Sequence, residues 1–211
     1  MRYQTIVADP PWQYDNALDM SDGVDRSAMS QYATLTLDQV QSFLRTPSSV
    51  IHPYQCRCLY TPCRCGTIQT MIADNAHLYL WVTNPFLIDG SAASVARAWG
   101  FEPKQLITWL KGRLTIDQSN PEYDEARLVM QIGMGRYWRG CTEHMLFCTR
   151  GKAMAMVKDR GVPNFFVAPR GRHSEKPDEA YALIERVSPG PSLDIFARKR
   201  RPNFDAIGDE L

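Results

Sequence analysis

A pair of prolines directly after a short apolar segment constrains this chain more than any other feature of the sequence. Residues 3–7 read Tyr-Gln-Thr-Ile-Val, an apolar and β-branched run that predicts a buried strand. Pro10 and Pro11 follow. Because proline has no N–H and a fixed φ, the strand must end at Asp9. Ligands of open α/β sheets bind outside the carboxyl ends of strands, so the sequence predicts a functional site at Asp9.

The groups at this step suit chemistry on an amino group. The exocyclic amine of a nucleobase is a weak nucleophile because its lone pair is delocalised into the ring. Two acceptors, the Asp9 carboxylate and the Pro10 carbonyl, could take its two N–H bonds, and Trp12 could stack on the base through its π-face. The same residues also fit a structural interpretation, a Pro-Pro turn with Asp9 as a cap and Trp12 in the core.

Length and charge narrow the class of protein. The 211 residues suffice for one domain with a sizeable core. The formal net charge is only +1, so a nucleic-acid partner must be met by a local basic patch. No apolar run approaches the roughly 20 residues of a membrane span, and the N-terminus lacks the pattern of a signal peptide. We therefore expect a cytoplasmic protein without membrane contact, whose cysteines stay reduced or bind metal.

Strand-like and helix-like segments alternate along the chain, which predicts an α/β fold with a doubly wound sheet. Thr36 is expected to cap the first helix, and Pro177 to lie in the first turn of the last one. The predicted helices cover 37–45, 67–75, 91–99 and a segment from about 177. The predicted strands cover 3–7, 77–83, 105–110, 143–149, 164–168 and 193–198, and loops cover 13–35 and 113–140.

Four of the six cysteines form two C-x-C pairs within a cysteine-rich insertion at about 47–66. Residues i and i+2 of an extended chain point to the same face, and the Leu-Tyr-Thr-Pro between the pairs can turn the chain back. Four thiolates brought together in this way suit one structural, tetrahedral zinc ion. Free thiols or a disulfide are the alternatives, although the compartment disfavours a disulfide. The predicted zinc ligands are Cys56, Cys58, Cys63 and Cys65.

Basic residues mark two candidate contact surfaces for a nucleic acid. Arginines interleaved with aromatic and glycine residues at 133–140 suit contacts to phosphates and bases, and they include Arg136 and Arg139. A second basic run covers 198–201. An Arg-rich, solvated loop explains the first surface equally well. In addition, the N-terminus of the helix near Lys176 predicts an anion site.

Several motifs together, in their order and spacing, resemble the MT-A70 family of S-adenosylmethionine-dependent N6-adenine methyltransferases, in its compact phage and bacterial form. The resemblance covers nearly the whole chain. Its anchors are the Asp-Pro-Pro-Trp run at 9–12, Leu-Trp-Val-Thr at 80–83, Ala-Trp-Gly-Phe at 98–101, His-Ser-Glu-Lys-Pro-Asp-Glu at 173–179 and Ile-Glu-Arg-Val-Ser-Pro-Gly at 184–190.

The resemblance implies a three-layer α/β sandwich with the seven-stranded, Rossmann-like methyltransferase fold. It implies a circularly permuted motif order. The catalytic Asp-Pro-Pro-Trp motif comes first, and the cofactor-binding part follows in the C-terminal half. The chain would form a single methyltransferase domain over 1–211. The cysteine-rich insertion lies outside the family pattern.

The resemblance also implies roles for individual residues. The catalytic motif would consist of Asp9, Pro10, Pro11 and Trp12, with Trp12 facing the base. Apart from the resemblance, we expect Tyr14, Arg136 and Arg139 to contact the substrate as well. The cofactor would be bound by Asp9, Lys176, Arg198, Asp209 and Glu210. The carboxylates at 209 and 210 replace an amide pair of the better-known eukaryotic members.

The implied activity is methyl transfer from S-adenosylmethionine to the N6 amine of adenine in nucleic acid, with DNA favoured over RNA. The same chemistry on RNA is one alternative. A catalytically silent subunit that binds nucleic acid or serves as a scaffold is another. A homo- or hetero-oligomer fits either activity.

Overall fold

One mixed sheet of eight strands forms the centre of the structure. The computed structural model describes residues 2–13, 34–45, 66–117, 125–133, 137–172, 175–208 and 211. The strands are β1 (Tyr3–Ala8), β2 (Ile72–Val82), β3 (Glu102–Asp117), β4 (Glu125–Met130), β5 (Thr142–Arg150), β6 (Phe165–Ala168), β7 (Ser192–Ile195) and β8 (Phe204–Ile207). The α-helices within the described residues are α1 (Leu37–Ser42), α2 (Asn84–Ile88), α3 (Ser91–Ala98) and α4 (Asp178–Val187).

The strand order brings several strand ends to one edge of the sheet. The order is β4-β3-β5-β2-β1-β7-β8, with β6 alongside β3. In β1, Ala8 lies opposite Leu80 of β2 and Ile195 of β7, and both pairings are parallel. Because β5 is antiparallel to β2, its first residues meet the same edge, where His144 lies opposite Val82. Residues that follow β1 therefore come close to residues that begin β5.

Apolar side chains alternate between the two faces of the sheet, and helices cover both faces. Ile6 packs in a core with Val40 of α1 and Val95 of α3. Val7, the next residue of the same strand, packs in a second core with Ile184 of α4. This alternation is the period of two that a strand imposes on its side chains. The predicted three-layer α/β fold is confirmed. None of the helices that the structure describes is long and apolar enough to span a membrane.

Three predictions of secondary structure are wrong. The segment 67–75 is a short 3₁₀ helix, Ile68–Met71, followed by the start of β2, because Ile72 pairs with Tyr3 of β1. The segment 113–140 contains the end of β3 and all of β4, which form a hairpin with Leu114 opposite Leu128. The sheet has eight strands rather than seven, since β6 pairs with β3 outside the row formed by the other seven.

Two further boundaries differ by a few residues. β7 ends at Ile195 rather than near 198, because Phe196 adopts a positive φ of 63° and turns the chain back toward β8. Pro177 is the N-cap residue of α4 rather than a residue of its first turn. The predicted cap of α1 is confirmed, since the Thr36 side chain accepts a hydrogen bond from the backbone N–H of Gln39 in a capping box.

Candidate active site

The carboxylate of Asp9 stands at the exit of β1, as the proline pair predicts. The Asp9 N–H still donates to the Ile195 carbonyl at 3.3 Å, so the residue is anchored to the neighbouring strand β7. The Pro10 carbonyl accepts a hydrogen bond from the Trp12 N–H at 2.8 Å. A carbonyl oxygen has two lone pairs, so that of Pro10 can accept a second hydrogen bond. The Pro11 carbonyl accepts from the Leu35 N–H at 2.9 Å.

The predicted stacking of a base on Trp12 does not agree with the structure. The Trp12 side chain is 6% exposed, and its ring stacks on Phe86 at 5.0 Å between centroids. Its indole N–H donates to the Trp81 carbonyl at 3.1 Å. An indole buried in this way has no open face for a purine. Trp12 instead anchors the segment with Pro10 and Pro11 to the end of β2, because tryptophan combines a large apolar surface with one hydrogen-bond donor.

Four charged side chains form an alternating row that begins at Asp9. The Lys176 Nζ lies 3.1 Å from Asp9 Oδ2 and 2.6 Å from Glu143 Oε1. The second oxygen of Glu143 lies 2.9 Å from the Lys111 Nζ. None of the four side chains is more than 19% exposed. Burial of a charge is costly unless it is paired, and here two cations balance two carboxylates.

The pKa values of the side chains in this row are shifted in different directions. Burial would raise the pKa of Glu143, but Lys176 and Lys111 outweigh it and hold that pKa at about 2. Burial would lower the pKa of Lys176, but Asp9 and Glu143 outweigh it and raise that pKa well above its usual value. For Asp9, burial raises the pKa, and Lys176 offsets this only in part. As the pH falls, Asp9 is therefore the carboxylate of this row that takes up a proton first.

Each of the two lysines in this row lies over the ring of a buried tryptophan. The Lys176 ammonium lies 5.2 Å from the centre of the Trp81 ring, and the Lys111 ammonium lies 5.0 Å from that of Trp109. The two rings meet edge to face at 6.1 Å. Contacts between a cation and an aromatic face of this kind stabilise a charge that has lost part of its water. The two tryptophan rings thus help to hold both ammonium groups in place next to Glu143.

A second carboxylate lies behind Asp9. Asp194 of β7 is 2% exposed, and one of its oxygens accepts a hydrogen bond from the Tyr181 hydroxyl at 2.8 Å. Its other oxygen, Oδ1, has no hydrogen-bond partner although it is buried. Burial is the main reason that the pKa of Asp194 rises to about 7. Asp194 therefore offers an unused acceptor beside Asp9.

Asp9, Lys176, Asp194 and Arg198 line the same small cleft, which has a volume of about 20 Å³. Gly208, at the end of β8, lies against the wall of this region. A Cβ at Gly208 would come within 1.9 Å of the Ala197 carbonyl, so only glycine allows the two backbones to approach.

The structure brings together three of the predicted cofactor residues, Asp9, Lys176 and Arg198. Arg139 is exposed, as are Tyr137 and Trp138, whose side chains are 92% and 90% exposed. Tyr14, Arg136, Asp209, Glu210 and the four clustered cysteines lie outside the described residues. Within the described ranges, no group of three His, Cys, Asp or Glu residues is arranged to hold a metal ion, and Cys141 and Cys148 are free thiols.

Sequence reasoning missed Glu143 and Lys111. The neighbouring His144 makes a structural contact between two strands, since its Nδ1 lies 3.1 Å from the Thr108 hydroxyl. The signal that was available is that Lys111 and Glu143 flank the ends of two predicted strands. In the sheet, Trp109 lies opposite Glu143, and this register places both charges at the edge that contains Asp9.

The fold and this edge define a class of protein. A mixed α/β sheet with buried, paired charges at the carboxyl end of its first strand is typical of enzymes that bind small ligands at strand ends. Asp9 supplies an anionic acceptor, and Lys176 supplies a cation held by two carboxylates.

Comparison with known proteins identifies the family. The MT-A70 family profile matches residues 61–210, which include Glu143 and Lys176 but begin after Asp9. The chain is a member of the MT-A70 family. It is 29% identical over 228 residues to the type II methyltransferase M.MunI of Mycoplasma sp., with 100% of this chain and 78% of that protein covered.

Two vertebrate relatives are longer than this chain. The chain is 26% identical over 226 residues to the N(6)-adenosine-methyltransferase catalytic subunit METTL3 of Homo sapiens. It is 25% identical over 219 residues to the N(6)-adenosine-methyltransferase subunit METTL3 of Danio rerio. All of this chain is aligned in both cases, but it spans only 28% of either relative.

Proposed function

We propose that this protein transfers a methyl group from S-adenosylmethionine to the N6 amine of adenine in DNA. The observation that carries the proposal is the Asp9 carboxylate at the exit of β1, 3.1 Å from the buried Lys176 ammonium. Membership of the MT-A70 family supports the reaction class. We choose DNA because this chain covers 78% of the length of a type II methyltransferase but only 28% of the two vertebrate METTL3 relatives.

The adenine amine is held by Asp9 and the free lone pair of the Pro10 carbonyl. Each acceptor takes one N–H bond, which turns the nitrogen lone pair out of the ring plane and toward the donor. Positioning of this kind accounts for a large part of the rate enhancement in transfer reactions. S-adenosylmethionine supplies, when bound, a methyl group on a positively charged sulfur. In the transfer, an N–C bond forms, the C–S bond breaks and its electron pair stays on sulfur.

The residues of the cleft suit the charges of this cofactor. The Lys176 ammonium is a partner for its carboxylate, because charge-assisted hydrogen bonds are the strong ones. The unpaired Oδ1 of Asp194 is an acceptor for a hydroxyl or amino group. Lys176 contacts the Oδ2 atom of Asp9 at 3.1 Å, so the other carboxylate oxygen takes the adenine amine while Lys176 stays in place. Lys176 stays anchored by Glu143, 2.6 Å away.

Proton removal completes the reaction. The methylated nitrogen carries a positive charge and loses one proton to Asp9 or to water, which restores a neutral amine. A strong base is not required because this nitrogen is acidic. The burial that raises the pKa of Asp9 makes it a better proton acceptor than an exposed carboxylate.

The target adenine must leave the stack of a duplex or be single-stranded, since its N6 atom is otherwise inaccessible to the site. The exposed Tyr137, Trp138 and Arg139 offer two aromatic faces and a cation for bases and phosphates. We propose that they form part of the nucleic-acid surface.

The function is tested by incubating the protein with S-adenosylmethionine labelled on the methyl group and with pools of duplex DNA, single-stranded DNA and RNA. Nucleoside analysis by mass spectrometry then identifies the product. We expect labelled N6-methyldeoxyadenosine from DNA and none with Asp9→Ala. Label in RNA alone would reassign the substrate. No label together with no binding of the cofactor by calorimetry would identify a silent subunit.

We also propose that Cys56, Cys58, Cys63 and Cys65 bind one structural zinc ion. The support is the donor set, since four thiolates are a common zinc shell. Metal analysis of the purified protein should find one zinc per chain that survives desalting, and Cys56→Ser combined with Cys63→Ser should lose it. Substoichiometric zinc that is lost on desalting would contradict the proposal.

A further inference from the structure

Arg201 belongs to the basic run 198–201 that the sequence assigns to a nucleic-acid surface, but its side chain turns inward. It is 7% exposed, whereas the Lys199 side chain is 44% exposed and Arg200 is exposed. An arginine as deeply buried as Arg201 has no face left for a phosphate. Its role must come from the groups around it.

The Arg201 guanidinium makes four contacts. Its Nε lies 2.9 Å from Asp178 Oδ1, and its Nη1 lies 3.5 Å from Asp194 Oδ2. Its plane lies over the Tyr181 ring at 3.7 Å. Its Nη2 donates to the backbone carbonyl of Lys176 at 2.8 Å. The planar fork of arginine makes several directed bonds of this kind at once, which an ammonium cannot reproduce.

The bond to Lys176 links this contact set to the reaction. The Lys176 carbonyl belongs to the main chain just before α4, and the ammonium of the same residue touches Asp9 and Glu143. The other partners of Arg201 lie in α4 and β7, which frame the cleft. We infer that Arg201 is a positioning residue, whose guanidinium holds the main chain at Lys176 and so sets the place of the Lys176 ammonium beside Asp9. The inference rests on the proposed function.

The charges near Asp9 give this role a measurable signature. Asp9 faces Lys176 from the segment before α4, Glu143 from β5 and Arg198 from the turn after β7, with Asp194 and Tyr181 behind it. If Lys176 moves away, Asp9 loses its closest cation and takes up a proton at higher pH. Loss of general stability alone would not produce this change in a folded variant.

The test uses Arg201→Lys, which keeps the positive charge near Asp194 but loses the fork. Arg201→Met, which removes the charge as well, is the second variant. Arg186→Met is the matched control, since Arg186 also pairs with an aspartate, at 2.6 Å, but is 59% exposed and does not contact Lys176. The readouts are the pH dependence of kcat for methyl transfer and the titration of the Asp9 carboxyl carbon by ¹³C NMR.

We expect Arg201→Lys to shift the Asp9 titration to higher pH and to lower kcat by roughly 10- to 100-fold, as displaced catalytic groups do. Arg201→Met should lower kcat further, and Arg186→Met should titrate like the wild type. A folded Arg201→Lys protein with wild-type titration and kcat overturns the inference. If the wild type transfers no methyl group to any nucleic acid, the proposed function fails, and the NMR titration still decides the role of Arg201.

Discussion

The Lys176 ammonium lies 3.1 Å from the Asp9 carboxylate, and the two residues come from opposite ends of the chain. Asp9 directly follows β1, while Lys176 precedes α4. This helix packs on the face of the sheet to which Val7 of β1 points. Both side chains are at least 85% buried, so neither keeps its full shell of water. In the function that we propose, Asp9 of this pair binds the substrate amine and Lys176 binds the cofactor carboxylate.

Replacing Asp9 by Asn should abolish most of the methyl transfer while leaving the fold intact. Asparagine keeps the shape but loses the charge that orients the amine and accepts its proton, so we expect kcat to fall roughly 100- to 1000-fold. Initial rates with labelled cofactor measure the loss, and calorimetry should find the cofactor still bound. Asp74→Asn is the matched control, since that carboxylate is 82% exposed and pairs with Arg2. Turnover of Asp9→Asn near the wild-type value would refute the role of Asp9.

The rate of methyl transfer should fall on the acid side at a pH higher than an ordinary aspartate would give. Burial raises the pKa of Asp9 above the usual value of about 4, and the protonated acid accepts fewer hydrogen bonds from the amine. The profile of kcat/KM for the cofactor against pH measures this limb, because this parameter reports the pKa values of the free enzyme. An acid limb centred near pH 4 would show that Asp9 is not perturbed in the free enzyme.

Glu143→Gln should destabilise the fold by about 3 kcal/mol at neutral pH, because it leaves two buried lysines with one carboxylate fewer. The pKa of Glu143 is about 2 in the fold and about 4.3 in an unfolded chain. A depressed carboxylate pKa stabilises the fold above the unfolded value, and this contribution is lost as the pH falls through the folded value. The advantage of the wild type should therefore shrink between about pH 4.3 and pH 2. Urea unfolding across this range measures it, and a constant difference would contradict the assignment.

Trp12→Ala should cost about 3 to 5 kcal/mol of stability, as expected for a large aromatic removed from a core. Trp12→Phe keeps a ring against Phe86 but loses the donor to the Trp81 carbonyl, so it should cost less. Thermal and urea unfolding measure both effects. If Trp12→Phe raised KM for DNA and left stability unchanged, the ring would be a base platform as first predicted, rather than an anchor.

The sequence by itself determined the start of the site. Two prolines after a β-branched run end β1 just before Asp9, since a local rule of backbone geometry decides where this strand stops. The alternation of Ile6 and Val7 between two faces, and the capping box at Thr36, are local in the same sense. The motif at Lys176 was found through its resemblance to a family.

Only the tertiary structure decided which charges meet Asp9 and which aromatic rings are buried. Glu143 comes near Asp9 because β5 runs antiparallel beside β2, and Lys111 joins Glu143 because β3 runs antiparallel beside β5. No local pattern specifies that strand order. Trp12 and Arg201 look like contact residues in the sequence, but both turn inward, where Phe86 and Asp194 receive them. The physical reason is that burial and pairing depend on partners distant in the chain, whereas the end of a strand depends on its own residues.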